Sequence, residues 1–255
     1  GLPHPTGALV IDQFTLDPFA ATVLGADALA GEGGNWSKTP FSDKVSLPFV
    51  ADIDLSAATL SAGTLDLFDA TLGLRLDEDG LRIEGLKAGL AGGVLTGQAA
   101  LKNTAGTALL DAQFKLAGAS LSTGGRPGSG SGKADVSASG NGNAKSLGGL
   151  VSSLAGSGSA RISNPVLHGI DAAALPELLK RADAVGRDID ATSTAAFADE
   201  VAGRGDFVGN SADFAVTIAG GLVWSPPVTV ANDKASLTAD LRVALDSGDV
   251  ELNGV

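Results

Sequence analysis

The chain has 255 residues, a formal net charge of −12, and a composition that is 44% hydrophobic but only 4% aromatic. This acidity disfavours nucleic acid and anionic membrane surfaces as partners, and the apolar content excludes a disordered chain. The absence of cysteine excludes disulfide bonds and thiol chemistry, and no apolar run is long enough for a transmembrane helix. The chain also lacks methionine, so we expect it to be a processed or excised piece of a longer protein.

Period-two alternation of apolar and polar residues recurs along the first half of the chain and is typical of half-buried β-strands. The segments FVADIDL (49–55) and ATLGLRL (70–76) each place their aliphatic side chains on one face. The acidic DEDG that follows (77–80) predicts a hairpin turn into the next strand. The same alternation predicts strands in GGVLTGQAAL (92–101) and LLDAQFKLAG (109–118).

The second half of the chain interrupts this pattern and then resumes it. The Gly/Ser-rich stretch 122–132 predicts a flexible loop, and the region 145–204 carries the helical signals. Two or three short helices are expected there, around 147–154, 176–185 and 197–201. Alternation returns in 205–255, which predicts a set of closing strands.

Together these elements predict a mainly β protein. We expect an antiparallel, meandering sheet, curled into a half-open groove or a sandwich, with the short helices inserted around residues 145–204. The whole chain, 1–255, is predicted to be a single domain. Its parts are a first half of the sheet (36–121), the Gly/Ser loop (122–132), the helical insert (145–204) and the closing strands (205–255).

The one-sided apolar pattern also predicts which side chains line a groove. A dry inner face with small residues beside large ones leaves room for an acyl chain, whereas a filled core favours bulk throughout. The predicted lining residues are Leu72, Leu74, Leu76, Leu95, Phe114, Phe214, Val216, Ile218, Leu241 and Val243.

No catalytic or metal-binding set can be assembled from the sequence. The two histidines, His4 and His168, have no neighbours at metal-ligand spacing, and no serine lies in a nucleophile elbow. GSGSGK (128–133) lacks the Ser or Thr after lysine that a phosphate-binding loop needs. We therefore expect a protein that is not an enzyme and that uses neither a metal nor a cofactor.

The order of the segments resembles the C-terminal region of AsmA-like proteins of Gram-negative bacteria, over about residues 36–253. Most of the resemblance lies in ADIDLSA (51–57), GGVLTG (92–97) and the stretch from GSGSARI to GID (156–171). Such proteins are related to bridge-like lipid-transfer proteins, in which antiparallel strands form a trough with an apolar inner face.

The resemblance implies a periplasmic module that binds and transfers phospholipid, or another acyl-chain lipid, for outer-membrane lipid homeostasis and assembly. It also implies a parent protein anchored in the inner membrane by an N-terminal helix outside this chain. The alternative is a non-enzymatic structural module whose helices seal the core and whose surface binds a partner protein or a membrane protein complex. Nucleic acid is not an expected partner under either reading. The first predicts a continuous cavity with bound lipid, and the second predicts neither.

Overall fold

The computed structural model describes residues 2–30, 36–44, 47–122, 129–169, 205–233, 235–247 and 249–254, with the side chains of 250 and 252–254 not included. All the strands in these ranges belong to one 14-stranded sheet. The sheet is open and is not closed into a barrel. The predicted mainly β fold class is confirmed.

The described strands and helices have the following bounds. The strands of the first half are β1 (Thr6–Thr15), β2 (Ala51–Ala62), β3 (Leu65–Asp77), β4 (Gly80–Leu90), β5 (Gly93–Thr104) and β6 (Thr107–Ser122). The later strands are β7 (Gly130–Ala144), β8 (Ala155–His168), β9 (Asp206–Val208), β10 (Ser211–Ala219), β11 (Leu222–Trp224), β12 (Val228–Ala231), β13 (Ser236–Ala244) and β14 (Val250–Gly254). The helices are α1 (Asp17–Leu24), α2 (Ala26–Leu29) and α3 (Leu147–Ser153).

The strands follow one another across the sheet nearly in chain order. The order is β1-β2-β3-β4-β5-β6-β7-β8-β10-β11-β13-β12, with β9 paired to β8 and β14 paired to β13. Among the described strands only β1 pairs in parallel, with β2, so the sheet is mixed. Short hairpins join the consecutive strands from β2 to β6, and the predicted turn at 77–80 is confirmed because Asp77 pairs with Gly80. Ala105 and Gly106 both have positive φ, as the tight turn between β5 and β6 requires.

The sheet has one apolar face, which we call the inner face, because the strand register aligns the alternating residues of successive strands. Leu74 pairs with Ile83, and Leu95 pairs with Leu116. Val136 on β7 pairs with Ala160 on β8, which in turn pairs with Phe214 on β10. Since cross-strand partners share a face, these pairs form one apolar surface that crosses the sheet.

The opposite, outer face is polar. There Arg75 on β3 forms salt bridges to the carboxylates of Asp52 (2.8 Å) and Asp54 (3.4 Å) on β2. Arg161 on β8 contacts Asp213 on β10 at 2.5 Å, and this hydrogen bond raises the pKa of Arg161 above its usual value. The polar outer face is therefore cross-linked between strands by charged pairs that remain in contact with water.

Two bulges change which residues reach the inner face. Asp69 in β3 has positive φ, and the register between β3 and β4 shifts on either side of Thr71. The bulge reverses the alternation, so the side chain of Phe68 is 55% exposed while Leu67 is buried. A second shift, between Ile83 and Leu86 on β4, turns Leu86 inward.

The helices agree in part with the sequence analysis. The first predicted helix is confirmed as α3, and its start is capped by Ser146, whose Oγ accepts a hydrogen bond from the backbone N–H of Gly149 (3.2 Å). The helices predicted around 176–185 and 197–201 lie outside the described residues. Helices α1 and α2 were not predicted, although Pro18 in the first turn of α1 is a helix-start signal.

Most of the predicted Gly/Ser loop, residues 123–128, lies outside the described residues. The last predicted loop residues, 130–132, belong to β7. Most side chains on the inner face of β7 and β8 are small, and Gly140 pairs with Gly156. The two backbones approach so closely there that a Cβ atom at Gly156 would overlap the carbonyl oxygen of Ser139.

This close approach gives a test of the fold. Gly156→Ala should lower the free energy of unfolding by about 1–3 kcal/mol, because the added methyl group forces two strands apart. Gly73→Ala on β3 is the matched control, since the nearest atom to a Cβ there is a guanidinium nitrogen of Arg75 at 3.5 Å. Urea unfolding followed by circular dichroism measures both. Equal stabilities for the two variants would contradict the described β7–β8 packing.

Candidate functional site

One part of the inner face is covered by helices and packed as a closed core. Helix α1 contacts β4 and β5, and its residues Val23 and Leu24 are almost fully buried. Phe41, from the segment after the helices, joins the same cluster. Leu72, Leu74 and Leu76 belong to this cluster and are at most 5% exposed. These three predicted lining residues therefore lie in the packed core, because α1 and its neighbours occupy the space above them.

A buried amide holds this cover in place. The side-chain Nδ2 of Asn103, at the end of β5, donates hydrogen bonds to the carbonyl oxygens of Val23 (2.8 Å) and Ser42 (2.9 Å). The same side chain thus ties the sheet to the end of α1 and to the segment that carries Phe41. Buried hydrogen bonds of this kind strongly favour one position of α1 on the sheet, because breaking them leaves unpaired polar groups inside the core.

Another part of the inner face borders an apolar cavity of about 390 Å³, a volume within the range of small-molecule sites. Its lining is formed by hydrocarbon side chains and contains no titratable group. The lining residues are Leu16, Leu60, Ala62, Leu65, Leu67, Ile83, Leu86, Leu90, Leu95, Phe114, Leu116, Val136 and Ala138.

The cavity crosses the strands rather than running along them. Apart from Leu16, its lining residues come from six neighbouring strands, β2 to β7. Neighbouring strands lie about 4.8 Å apart, so the lining extends for up to about 24 Å along the sheet. One leaflet of a bilayer contributes about half of a hydrocarbon core of about 30 Å. The cavity is therefore long enough to take most or all of one acyl chain.

The other predicted lining residues are distributed over the inner face. Leu95 and Phe114 line the cavity. Phe214 packs in a second cluster, around the buried Phe207, Val228 and Val230. The remaining four, on β10 and β13, are half-buried and lie outside the cavity; they are Val216, Ile218, Leu241 and Val243.

The sequence analysis missed most of the cavity. Leu60 and Leu86 each follow a position where the regular alternation changes, so period-two counting from the start of the strand misplaces them. Leu67 precedes the bulge at Asp69, so counting back from Leu72 misplaces it. Leu16 belongs to the turn before α1, a helix that was not predicted. A single apolar residue on the wrong parity, such as Phe68 beside Leu67, is the signal that could have located the bulge.

Acidic groups lie at the end of the cavity near the β2–β3 hairpin. The Asp17 carboxylate accepts a hydrogen bond from the backbone N–H of Gly63 (2.9 Å), next to the lining residue Leu16. Ser61 donates a hydrogen bond to the carboxylate of Asp66 (2.6 Å), next to the lining residue Leu65. A head group at this end would therefore meet negative charge, in addition to the net charge of the chain.

The outer face has depressions of a different character. Two of them, of about 570 and 620 Å³, lie over strands from β4 to β10 and are open to solvent. Their lining includes Ser137, Ser159, Gln113 and Lys115. They are larger than the inner cavity, but such polar walls remain hydrated and cannot remove hydrocarbon from water. Burial of apolar surface is the dominant favourable term for a lipid tail, so the inner cavity is the better candidate.

The groups most similar to a catalytic set lie where the start of β7, the end of β8 and the start of β9 meet. Ser129, His168 and Asp206 are neighbours on adjoining segments, and His168 Nδ1 lies 3.0 Å from the Asp206 carboxylate. The Ser129 hydroxyl is buried and makes no hydrogen bond among the described residues, so it is not paired with His168. Among the same residues, no group of three or more His, Cys, Asp or Glu side chains could hold a metal ion.

Comparisons of the chain with protein-family models, curated proteins and solved structures found no match. The resemblance to AsmA-like proteins therefore depends on the sequence motifs alone. Within the described ranges, no helix has the length and hydrophobicity needed to cross a bilayer.

The distinction between core and cavity predicts unequal effects of the same truncation. Leu74→Ala should cost about 2–5 kcal/mol of unfolding free energy, because it opens a void in a closed core. Leu116→Ala should cost clearly less, because the half-buried Leu116 already borders empty space. Chemical denaturation of both variants measures the difference. Similar losses would mean that the cavity is packed as tightly as the core.

Proposed function

We propose that this protein binds the acyl chain of a lipid, and takes part in lipid transfer, through the cavity on its inner face. The observation that carries the proposal is a cavity without polar side chains that extends across six strands, β2 to β7. Each methylene group buried there contributes about 0.8 kcal/mol, so a chain of ordinary length has ample driving force to leave water.

The position of the cavity supports a carrier rather than a sealed module. Under the alternative, helices fill the trough and the surface binds a partner protein. The packed core beneath α1 favours that alternative for one part of the inner face. The cavity favours lipid binding for the part that includes Leu95, Phe114 and Leu116. We therefore assign lipid binding to the cavity and a supporting role to the packed core.

The sequence resemblance supports the biological setting of the same proposal. AsmA-like proteins act in the periplasm and are linked to outer-membrane lipid homeostasis, so we propose that location and role for this chain. The acidic groups near the β2–β3 hairpin, Asp17 and Asp66, favour a zwitterionic head group over an anionic one. Phosphatidylethanolamine is accordingly the expected ligand in preference to phosphatidylglycerol.

The proposal is tested by native mass spectrometry of the protein after incubation with vesicles of either lipid. We expect a bound phospholipid, with more phosphatidylethanolamine than phosphatidylglycerol retained. Leu116→Asp should abolish retention, because it places a carboxylate in a cavity that has no partner for it. Leu109→Asp is the matched control on the same strand, since Leu109 lies on the outer face and is 47% exposed.

Circular dichroism shows whether each variant remains folded. A folded Leu116→Asp protein that keeps its lipid would refute the assignment of the cavity. A parent protein that takes up no lipid from either vesicle would refute lipid binding itself and favour the partner-binding alternative.

A further inference from the structure

Among the described strands, β1 forms an open edge of the sheet. It is first in the strand order, and within the described ranges it is hydrogen-bonded to β2 on one side only. Every residue from Thr6 to Gln13 is exposed, and the side chain of Val10 is 83% exposed. A long edge strand with exposed aliphatic residues is a template for pairing with another strand.

The hydrogen bonds to β2 determine which backbone groups of β1 remain available. The N–H of Asp52 donates to the carbonyl oxygen of Pro5 (2.9 Å), and Thr6 is the register partner of Asp52. In a parallel ladder, residues point their backbone groups alternately to the two sides. The odd-numbered residues from Pro5 to Ile11 therefore face β2, and Ala8 and Val10 present N–H and C=O groups at the free edge.

We propose that a second copy of this chain pairs with this edge, antiparallel, about a twofold axis at Val10. In that register the two Val10 residues exchange both backbone hydrogen bonds. Leu9 lies opposite the partner's Ile11 and Ala8 lies opposite the partner's Asp12. The only charged residue of the strand, Asp12, thus meets an alanine, and no like charges face each other.

The sequence around Val10 supports a second copy of the chain as the partner, because in this register its apolar residues face each other. The three consecutive aliphatic residues at 9–11 meet the same three residues of the other copy. Leu9 and Ile11 pair with Leu55 and Ala57 of β2, which belong to the inner face. Pairing therefore joins the apolar inner faces of two copies into one surface, as the isologous interface of a twofold dimer requires.

The natural absence of cysteine makes this register directly testable. Val10→Cys should form a disulfide-linked dimer under mild oxidation, because the Cα atoms of a hydrogen-bonded antiparallel pair lie about 5.5 Å apart. Ala8→Cys is the matched control. Its counterpart in the other copy lies about 14 Å away, four residues along the strand, which is beyond disulfide reach. Cross-linking of both variants to the same extent, or of neither, would overturn the proposed register.

A second measurement does not depend on cysteine chemistry. Sedimentation of the unmodified chain should show a dimer whose share increases with salt, since each copy carries a charge of −12. Val10→Lys should give a monomer at every concentration, whereas Val94→Lys, at an exposed site on β5, should not. A parent chain that stays monomeric in high salt, or a Val10→Lys protein that still dimerises, would overturn the proposal. Lipid retention is measured separately, so failure here leaves the proposed function intact.

Discussion

The structure depends on one constraint: an open sheet with a continuous apolar face must keep that face from water. The chain meets this constraint in two ways. Helices α1 and α2, with Phe41, cover the residues around Leu74, and Asn103 locks the cover to the sheet through two buried hydrogen bonds. Beside this core the same face borders a cavity that no described side chain fills. The packed core and the cavity are thus both formed by the apolar face that the alternation of apolar and polar residues produces.

The size of the inner-face residues determines where this face is packed as a core and where it leaves a cavity. Under α1 the face is built from leucines that interdigitate with Val23 and Leu24, and packing at that density leaves no room for a ligand. On β7 and β8 it is built mainly from glycine and alanine, and the close contact at Gly156 shows that the strands are drawn together there. The small neighbours of Phe114, Gly97 and Ala138, thus keep space open without introducing polar groups.

Much of the fold could be predicted from the sequence, because a period of two is a direct consequence of strand geometry. Leu72, Leu74 and Leu76 were correctly placed on one face, and the turn at 77–80 and helix α3 were recognised. The pattern could not show what lies above that face, since cover by α1 depends on contacts distant in sequence. Nor could it locate the bulge at Asp69, which moves Leu67 inward and Phe68 outward. Strand β7 was missed because serine and glycine give no hydrophobic period.

The cavity is lined by the same kind of side chains as the core, and this similarity supports the proposal that it holds a ligand. Apolar surface exposed to water costs about 25 cal/mol per Å², and the cavity lining is as hydrocarbon-rich as the core beside it. A structural module gains nothing from such a surface, because filling it with larger side chains would stabilise the fold. A carrier needs it, because the free energy lost on folding is recovered when an acyl chain enters. Under the proposed function, Leu95 and Phe114 contribute to lipid binding as well as to the fold, whereas Leu74 and Leu76, which do not line the cavity, contribute to stability alone.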